Sequence, residues 1–235
     1  MSEHDTERHL SDLIQAQSPF ESQAELEQLL AAHQQHLAEL PSTATTLDRA
    51  RIALDIAEAL LGLGRNDDAW TQARTAFDVF AAQQAWQEAA EACDILYRAD
   101  REESIIALAN GTWLSVTFPI KPETSVALLQ HIVDETPDDS DGGAVAAAAA
   151  HHLADMRASE DQHESLTFLT TQILAHVAKR HRGIEDQDTF NTWMQMLQLN
   201  DPAEFLPRLA QILDVMAGDN WWYDRDALRA RLPVN

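Results

Sequence analysis

Residues 144–154 read AVAAAAAHHLA, and this alanine-rich stretch constrains the fold more than any other feature of the chain. Alanine is the strongest helix former, because its side chain loses no rotamer freedom in a helix. A helix made of alanine has little side-chain bulk, so it has to pack closely against its neighbours. Ala, Leu, Gln and Glu also dominate elsewhere, while 7 Gly and 8 Pro are few in 235 residues. We therefore predict an all-α protein with short loops.

Apolar periodicity and helix start signals place the helices. Leucines in the segment 26–40 recur at i, i+3 and i+4, which predicts an amphipathic helix that ends before Pro41. Asn66 is predicted to cap the helix over about 67–83, and Asp201-Pro202 to begin the helix over 202–217. The other helices are predicted at about 10–14, 46–63, 85–98, 101–118, 122–134, 144–158, 160–182 and 187–199, with a last short one capped by Asp224 or Asp226.

The segment 111–118 is rich in β-branched and aromatic residues, which favours a strand. A single strand in a helical chain has no partner to pair with. We therefore predict that this segment continues the helix that precedes it.

Helix pairs recur at a spacing of roughly 36–40 residues, with connecting loops near Gly64, Asp100 and Ser140. The clearest unit, ARIALDIAEALLGLGRNDDAWTQARTAFDVF, resembles a tetratricopeptide repeat, and a weaker unit runs from Gln84 to Thr117. The matching positions are Ile56, Ala57, Gly64, Ala69 and Ala76, and the departures are Ala53, Leu60 and Ala73. The resemblance implies a scaffold that presents a binding face to a peptide or a subunit.

The predicted architecture is a stack of antiparallel helical hairpins, tetratricopeptide-like or α-solenoid-like, with a C-terminal helical lobe. We expect a short N-terminal helix and linker at 1–20, the repeat region at 21–118 and the lobe at 119–235. The last two regions are also compatible with one continuous domain. A compact helical domain without a groove is the alternative to the scaffold.

The formal net charge is −23, and the acidic residues are spread along the whole chain. Such a charge repels nucleic acid and anionic lipid and favours a partner with a basic or apolar docking surface. The only basic cluster is 179–182, which we expect to cap its own helix and to pair with nearby acids. The N-terminus shows no signal-peptide pattern, and no apolar run approaches the ~20 residues of a membrane span, so we expect a cytoplasmic protein.

The sequence offers little catalytic chemistry. It has no phosphate-binding glycine loop and no nucleophilic serine motif, and the single cysteine, Cys93, rules out an internal disulfide. His151, His152 and His163 are weak candidates for metal ligands, but Glu160-x-x-His163 has no second copy, as a di-iron site requires. We expect no cofactor, no metal and no catalytic residue.

The C-terminal sequence DNWWYDRDALRARL places Trp221, Trp222 and Tyr223 side by side. Adjacent side chains point in different directions, so we expect one tryptophan to anchor the tail and the other to meet a partner. The candidate partner-binding residues are Trp221, Trp222, Tyr223, Arg225, Arg49 and Arg51.

These observations favour a non-enzymatic protein-binding scaffold, adaptor or assembly chaperone. By analogy with other acidic helical chaperones, a multi-subunit metalloenzyme is a possible client class. Two alternatives remain open: a helical metal-binding protein or enzyme that uses a histidine and carboxylate cluster, and a self-associating structural protein.

Overall fold

The computed structural model describes residues 23–232, and within that range it contains eleven α-helices and no strand. The helices are α1 (Gln23–Glu39), α2 (Thr46–Gly62), α3 (Asn66–Ala82), α4 (Trp86–Arg98), α5 (Ser104–Thr117), α6 (Pro122–Glu135), α7 (Asp141–Arg157), α8 (Glu160–Arg182), α9 (Gln187–Met196), α10 (Pro202–Ala217) and α11 (Arg225–Arg229). The all-α prediction is therefore confirmed. The helix predicted at 10–14 lies outside the described residues.

The helix ends follow local chemistry. At the start of α2, the side chains of Thr45 and Asp48 each accept a hydrogen bond from the other's backbone N–H, which forms a capping box. Asp224 caps α11 by accepting from the N–H of Ala227. The prediction for Asn66 was wrong, because α3 already begins at this residue and no side chain caps it.

The segment 111–117 is helical, as predicted, and completes α5. Residues 107–115 are buried without interruption, so α5 has neighbours on every side. Tertiary packing therefore outweighs the strand preference of its β-branched residues. The helix ends at Phe118, whose backbone is extended.

Successive helices from α1 to α8 pack against one another as stacked hairpins, and α2, α4, α6 and α8 also contact each other in turn. These four helices form one layer of the molecule, and α3, α5 and α7 belong to the other. Helix α10 returns across the second layer and packs against both α5 and α7. The first layer therefore keeps a face that α10 does not cover.

Small residues allow the helices to approach closely. The alanine run of α7 is buried along its length, as its composition predicts. One continuous hydrophobic cluster extends from Ala50 on α2 to Ala217 on α10. A smaller cluster, centred on Leu30 and Ile56, joins α1 to α2.

Candidate protein-binding surfaces

The aromatic tail follows α10 directly. Phe205, Leu209, Leu213 and Ala217 hold α10 in the core, and Gly218 ends the helix with a φ of 54° and a ψ of −129°. That left-handed φ suits glycine, because it has no Cβ. The chain turns there and runs through residues 220–224 without helical structure. The turn brings the tail back onto α3 and α5.

Trp222 and Tyr223 pack against buried residues of these two helices. The Trp222 ring meets Phe77 of α3 edge-on, with ring centroids 5.0 Å apart, and the Arg74 guanidinium lies 4.3 Å from its centroid. Tyr223 lies between Phe77 and Trp113, at centroid distances of 6.5 and 5.3 Å. Burial raises the pKa of Tyr223 well above its usual range, so the phenol remains a hydrogen-bond donor.

Trp221 has a different environment. The Arg225 guanidinium lies 3.6 Å from its ring centroid, and Arg225 also pairs with Asp214 of α10 at 2.7 Å. The ring lies 6.3 Å from that of Tyr223. Trp221, Trp222 and Tyr223 are all partly buried, and all three make contacts within the molecule.

Asn110 on α5 was missed by sequence reasoning, although it is fully buried and organises the tail. Its side-chain Oδ1 accepts from the backbone N–H of Trp222 at 3.0 Å, and its Nδ2 donates to the carbonyls of Asn220 and Ile106 at 3.4 and 2.9 Å. The Tyr223 hydroxyl donates to the Asn110 carbonyl at 2.6 Å. Because the partners lie more than 100 residues apart in sequence, no local pattern indicates this role.

The two other arginines of the predicted binding set lie elsewhere. Arg49 donates to the carbonyl of Pro41, and Arg51 pairs with Glu88 of α4 at 2.7 Å. These bonds hold the arginines on α2, and the structure does not join them to the tail.

The uncovered side of α2, α4 and α6 carries mainly acidic residues, and we call it the carboxylate face. Cross-helix bonds align the three helices: Glu58 pairs with Arg98 at 2.8 Å, and Asp94 pairs with His131 at 3.0 Å. Its acids are Asp55, Glu58, Glu88, Glu91, Asp94, Asp134 and Glu135, and its bases are Arg51, Arg98 and His131.

Asp94 lies at the centre of this face. Burial alone acts to raise its pKa, but the bonds from His131 and Arg98 outweigh burial and hold the pKa of Asp94 below its usual range. Burial also disfavours the charged form of Arg98, yet Glu58 and Asp94 together raise the pKa of Arg98. The Asp94 carboxylate and the Arg98 guanidinium therefore stay charged near neutral pH.

The histidine candidates do not form a ligand cluster. The His151 ring bonds to the Thr170 hydroxyl at 2.9 Å, His152 packs edge-on against Phe205, and His163 pairs with Asp155 at 3.0 Å. Among residues 23–232, no group of three His, Cys, Asp or Glu side chains is arranged to hold a metal ion.

Cys93 is fully buried, and burial strongly raises the pKa of its thiol. A thiol needs an accessible, electropositive setting to react as a thiolate. Cys93 therefore acts as a packing residue.

The basic cluster at the end of α8 is largely engaged with neighbouring groups. Arg180 donates to the carbonyls of Val133 and Thr136, and Lys179 and His181 lie 3.5 and 3.3 Å from Glu185 and Asp141. The predicted pairing with nearby acids is confirmed, but the carbonyls that Arg180 binds lie at the end of α6, so the prediction that this residue caps its own helix was wrong.

No family model, curated protein or solved structure matches the chain. None of the helices in the part of the chain that the structure describes is long and apolar enough to cross a bilayer.

Proposed function

We propose that the chain is a non-enzymatic protein-binding scaffold, an adaptor or an assembly chaperone, and that the carboxylate face binds a basic surface of its partner. The proposal rests on the fact that, among residues 23–232, one layer of helices is covered and the other is not. Helix α10 and the tail pack over the second layer, whereas α2, α4 and α6 present seven carboxylates, two arginines and one histidine.

The charge balance of this face favours a cationic partner. Arg51, Arg98 and His131 of the face already pair with its acids, and His33 of α1 lies 3.9 Å from Asp55, so acids still outnumber the basic groups that oppose them. Opposite charge on a partner speeds association and fixes its orientation. The binding is therefore expected to weaken as salt rises.

The spacing of the cross-helix bonds supports a repeat scaffold. Arg51 bonds to Glu88 across 37 residues, Asp94 to His131 across 37, and Tyr97 to Glu135 across 38. Equivalent positions of successive hairpins thus meet at a nearly constant interval, in keeping with the resemblance to a tetratricopeptide repeat. A stack of this kind presents one extended face for binding.

Carbodiimide cross-linking in the native lysate tests the proposal. This reagent joins a carboxylate directly to a lysine amine, so it reports which acids touch a basic partner. We expect partner lysines to be joined to Asp55, Glu91 or Asp134 in a stoichiometric complex that dissociates as salt rises. Cross-links confined to acids outside α2, α4 and α6 contradict the proposed face.

Two charge-matched variants complete the design. Asp55→Asn/Glu91→Gln/Asp134→Asn removes three charges from the carboxylate face, and Asp188→Asn/Glu204→Gln/Asp219→Asn removes three exposed charges elsewhere. Only the first variant is expected to release the partner at lower salt. If both variants retain it equally, or if no stoichiometric partner is found, the proposal fails.

A further inference from the structure

The Asn110 groove is formed by Arg74 and Phe77 of α3 with Asn110 and Trp113 of α5, and the tail occupies it. It lies on the second layer, so its occupancy is independent of the carboxylate face. We propose that this groove is an exchangeable peptide-binding site. In the structure the protein's own tail fills it, and its trans ligand is an extended segment of a partner protein with two adjacent aromatic residues.

The groove binds the main chain of the tail through a single side chain, that of Asn110. The Asn110 carboxamide accepts from the N–H of Trp222 and donates to the carbonyl of Asn220, two residues earlier. A carbonyl and an N–H two residues apart are the pair that one residue of a neighbouring parallel strand engages, so the carboxamide takes the place of that residue's N–H and C=O. Bonds of this kind recognise any extended backbone, whatever its sequence.

The tail covers Asn110, which is fully buried beneath it, and the N–H of Trp222 is the hydrogen-bond donor to its Oδ1. When the tail leaves, Asn110 is uncovered and water takes the place of this donor. Another extended main chain that enters the groove supplies the same N–H and carbonyl, so it can replace the tail without leaving the Asn110 carboxamide unsatisfied.

The groove contacts side chains of the tail as well as its main chain, and it leaves part of the tail exposed. Phe77, Arg74 and Trp113 contact two consecutive rings, so the groove selects an aromatic pair at the positions of Trp222 and Tyr223. The tail is not sealed into the core, because both tryptophans stay partly exposed and α11 contains no buried residue. The tail is held by its hydrogen bonds to Asn110, by ring contacts, by the packing of Leu228 and by the ion pair of Arg225 with Asp214 of α10.

Competition with the tail sets the affinity in trans. The tail is joined to α10 through Gly218 and Asp219, and a short connection gives an effective concentration on the order of millimolar. A segment on another protein displaces the tail only if its own concentration or its affinity for the groove outweighs this effective concentration. The tail therefore acts as an autoinhibitor of the groove.

The experiment uses full-length chains and a fluorescent peptide of residues 218–232, GDNWWYDRDALRARL. Trp222→Ala/Tyr223→Ala weakens the tail in cis and leaves the groove intact. By fluorescence anisotropy we expect this variant to bind the peptide saturably and the wild-type chain to bind it at least tenfold more weakly. A variant that is folded by circular dichroism but does not bind the peptide overturns the proposal.

The matched control changes the ligand and leaves the protein untouched. A peptide methylated on the backbone nitrogen of the residue equivalent to Trp222 keeps every side chain but cannot donate to Asn110. We expect at least a tenfold loss of affinity, and equal binding contradicts the role of Asn110. A peptide that keeps only Asn-Trp-Trp-Tyr in a Gly/Ser frame is expected to bind within tenfold of the parent.

If the double variant does not fold, hydrogen exchange of the ¹⁵N-labelled wild-type chain replaces it. Excess unlabelled peptide is then expected to speed exchange at residues 219–224, because the tail has been displaced, and unchanged exchange overturns the proposal. Light scattering adds a further check. A dimer that dissociates when the peptide is added assigns the groove to the tail of a second copy and overturns the assignment to a partner protein.

Discussion

Gly111 of α5 lies directly against Cys93 of α4, so closely that a Cβ on Gly111 would stand 2.5 Å from the Cβ of Cys93. Leu128 closes the site from α6, at 3.3 Å from the same position. The crossing of α4 and α5 therefore depends on the missing side chain. Both residues are fully buried, so neither helix can shift without disturbing the core.

Gly111→Ala is expected to destabilise the fold by about 1–3 kcal/mol, because overpacking outweighs the better helix propensity of alanine. Gly62→Ala is the control, because its added Cβ meets only the flexible tip of Leu26 at 3.1 Å. This control should stay within about 0.5 kcal/mol of wild type, since a flexible side chain relieves the contact at little cost. Urea unfolding measures the change in unfolding free energy of both variants. Equal changes contradict the conclusion that α4 and α5 cross too closely at Gly111 to admit a side chain.

The sequence predicted local structure well, because helix signals are local. The helix predicted over 160–182 is α8 to the residue, and the one over 202–217 is α10. The alanine-rich composition of residues 144–154 correctly predicted that this helix is closely packed and buried. Asn110 gave no such signal, because its partners lie 110 to 113 residues further along the chain.

The carboxylate face also escaped sequence reasoning. Its acids lie on three helices, and only the stacking of the hairpins brings Asp94 to His131 and Glu58 to Arg98. The overall negative charge and a repeat interval of roughly 36–40 residues can be read from the sequence. The side of the helices that remains uncovered cannot be read from it, because that depends on where α10 packs.

Gln84 offers a stabilising substitution. It follows α3 with a φ of 57°, and the N–H of Ala85 returns to the carbonyl of Phe80 at 2.9 Å, as in a Schellman ending. Glycine adopts this left-handed conformation without the steric cost that other residues meet. Gln84→Gly should therefore raise the unfolding free energy by about 0.5–1 kcal/mol.

The neighbouring Gln83 is the control for this prediction. Its φ is −94°, so glycine gains nothing there and adds flexibility to the unfolded chain. Gln83→Gly should lower the unfolding free energy by about 0.5 kcal/mol. Thermal unfolding of both variants tests this prediction. If both substitutions lower the unfolding free energy, the backbone at Gln84 is not strained.

The lowered pKa of Asp94 predicts how the stability of the fold changes at acidic pH. Its folded-state pKa lies below the ordinary value of 3.8, so its stabilising effect is fully present above that pH and is lost as pH falls through the folded-state pKa. Asp94→Asn should cost about 1–2 kcal/mol at pH 7, because hydrogen bonds to a charged group are lost. This difference should shrink between about pH 4 and pH 2.

Urea unfolding at about pH 7, 4 and 2.5 checks this response against Asp226→Asn. The Asp226 side chain is 95% exposed, so its substitution should change little at any pH. If the cost of Asp94→Asn stays constant down to the lowest pH, the bonds from His131 and Arg98 do not lower the pKa of Asp94.

The two tail tryptophans should differ in what they contribute to stability. Trp222 contacts Phe77, which is fully buried, and Arg74, whereas Trp221 contacts Tyr223 and Arg225 within the tail itself. Trp222→Ala should cost about 2–3 kcal/mol, less than the 3–5 kcal/mol of a fully buried aromatic, and Trp221→Ala about 1 kcal/mol. Urea unfolding with circular dichroism measures both. An equal or greater cost at Trp221 contradicts the assignment of Trp222 as the anchor of the tail on α3.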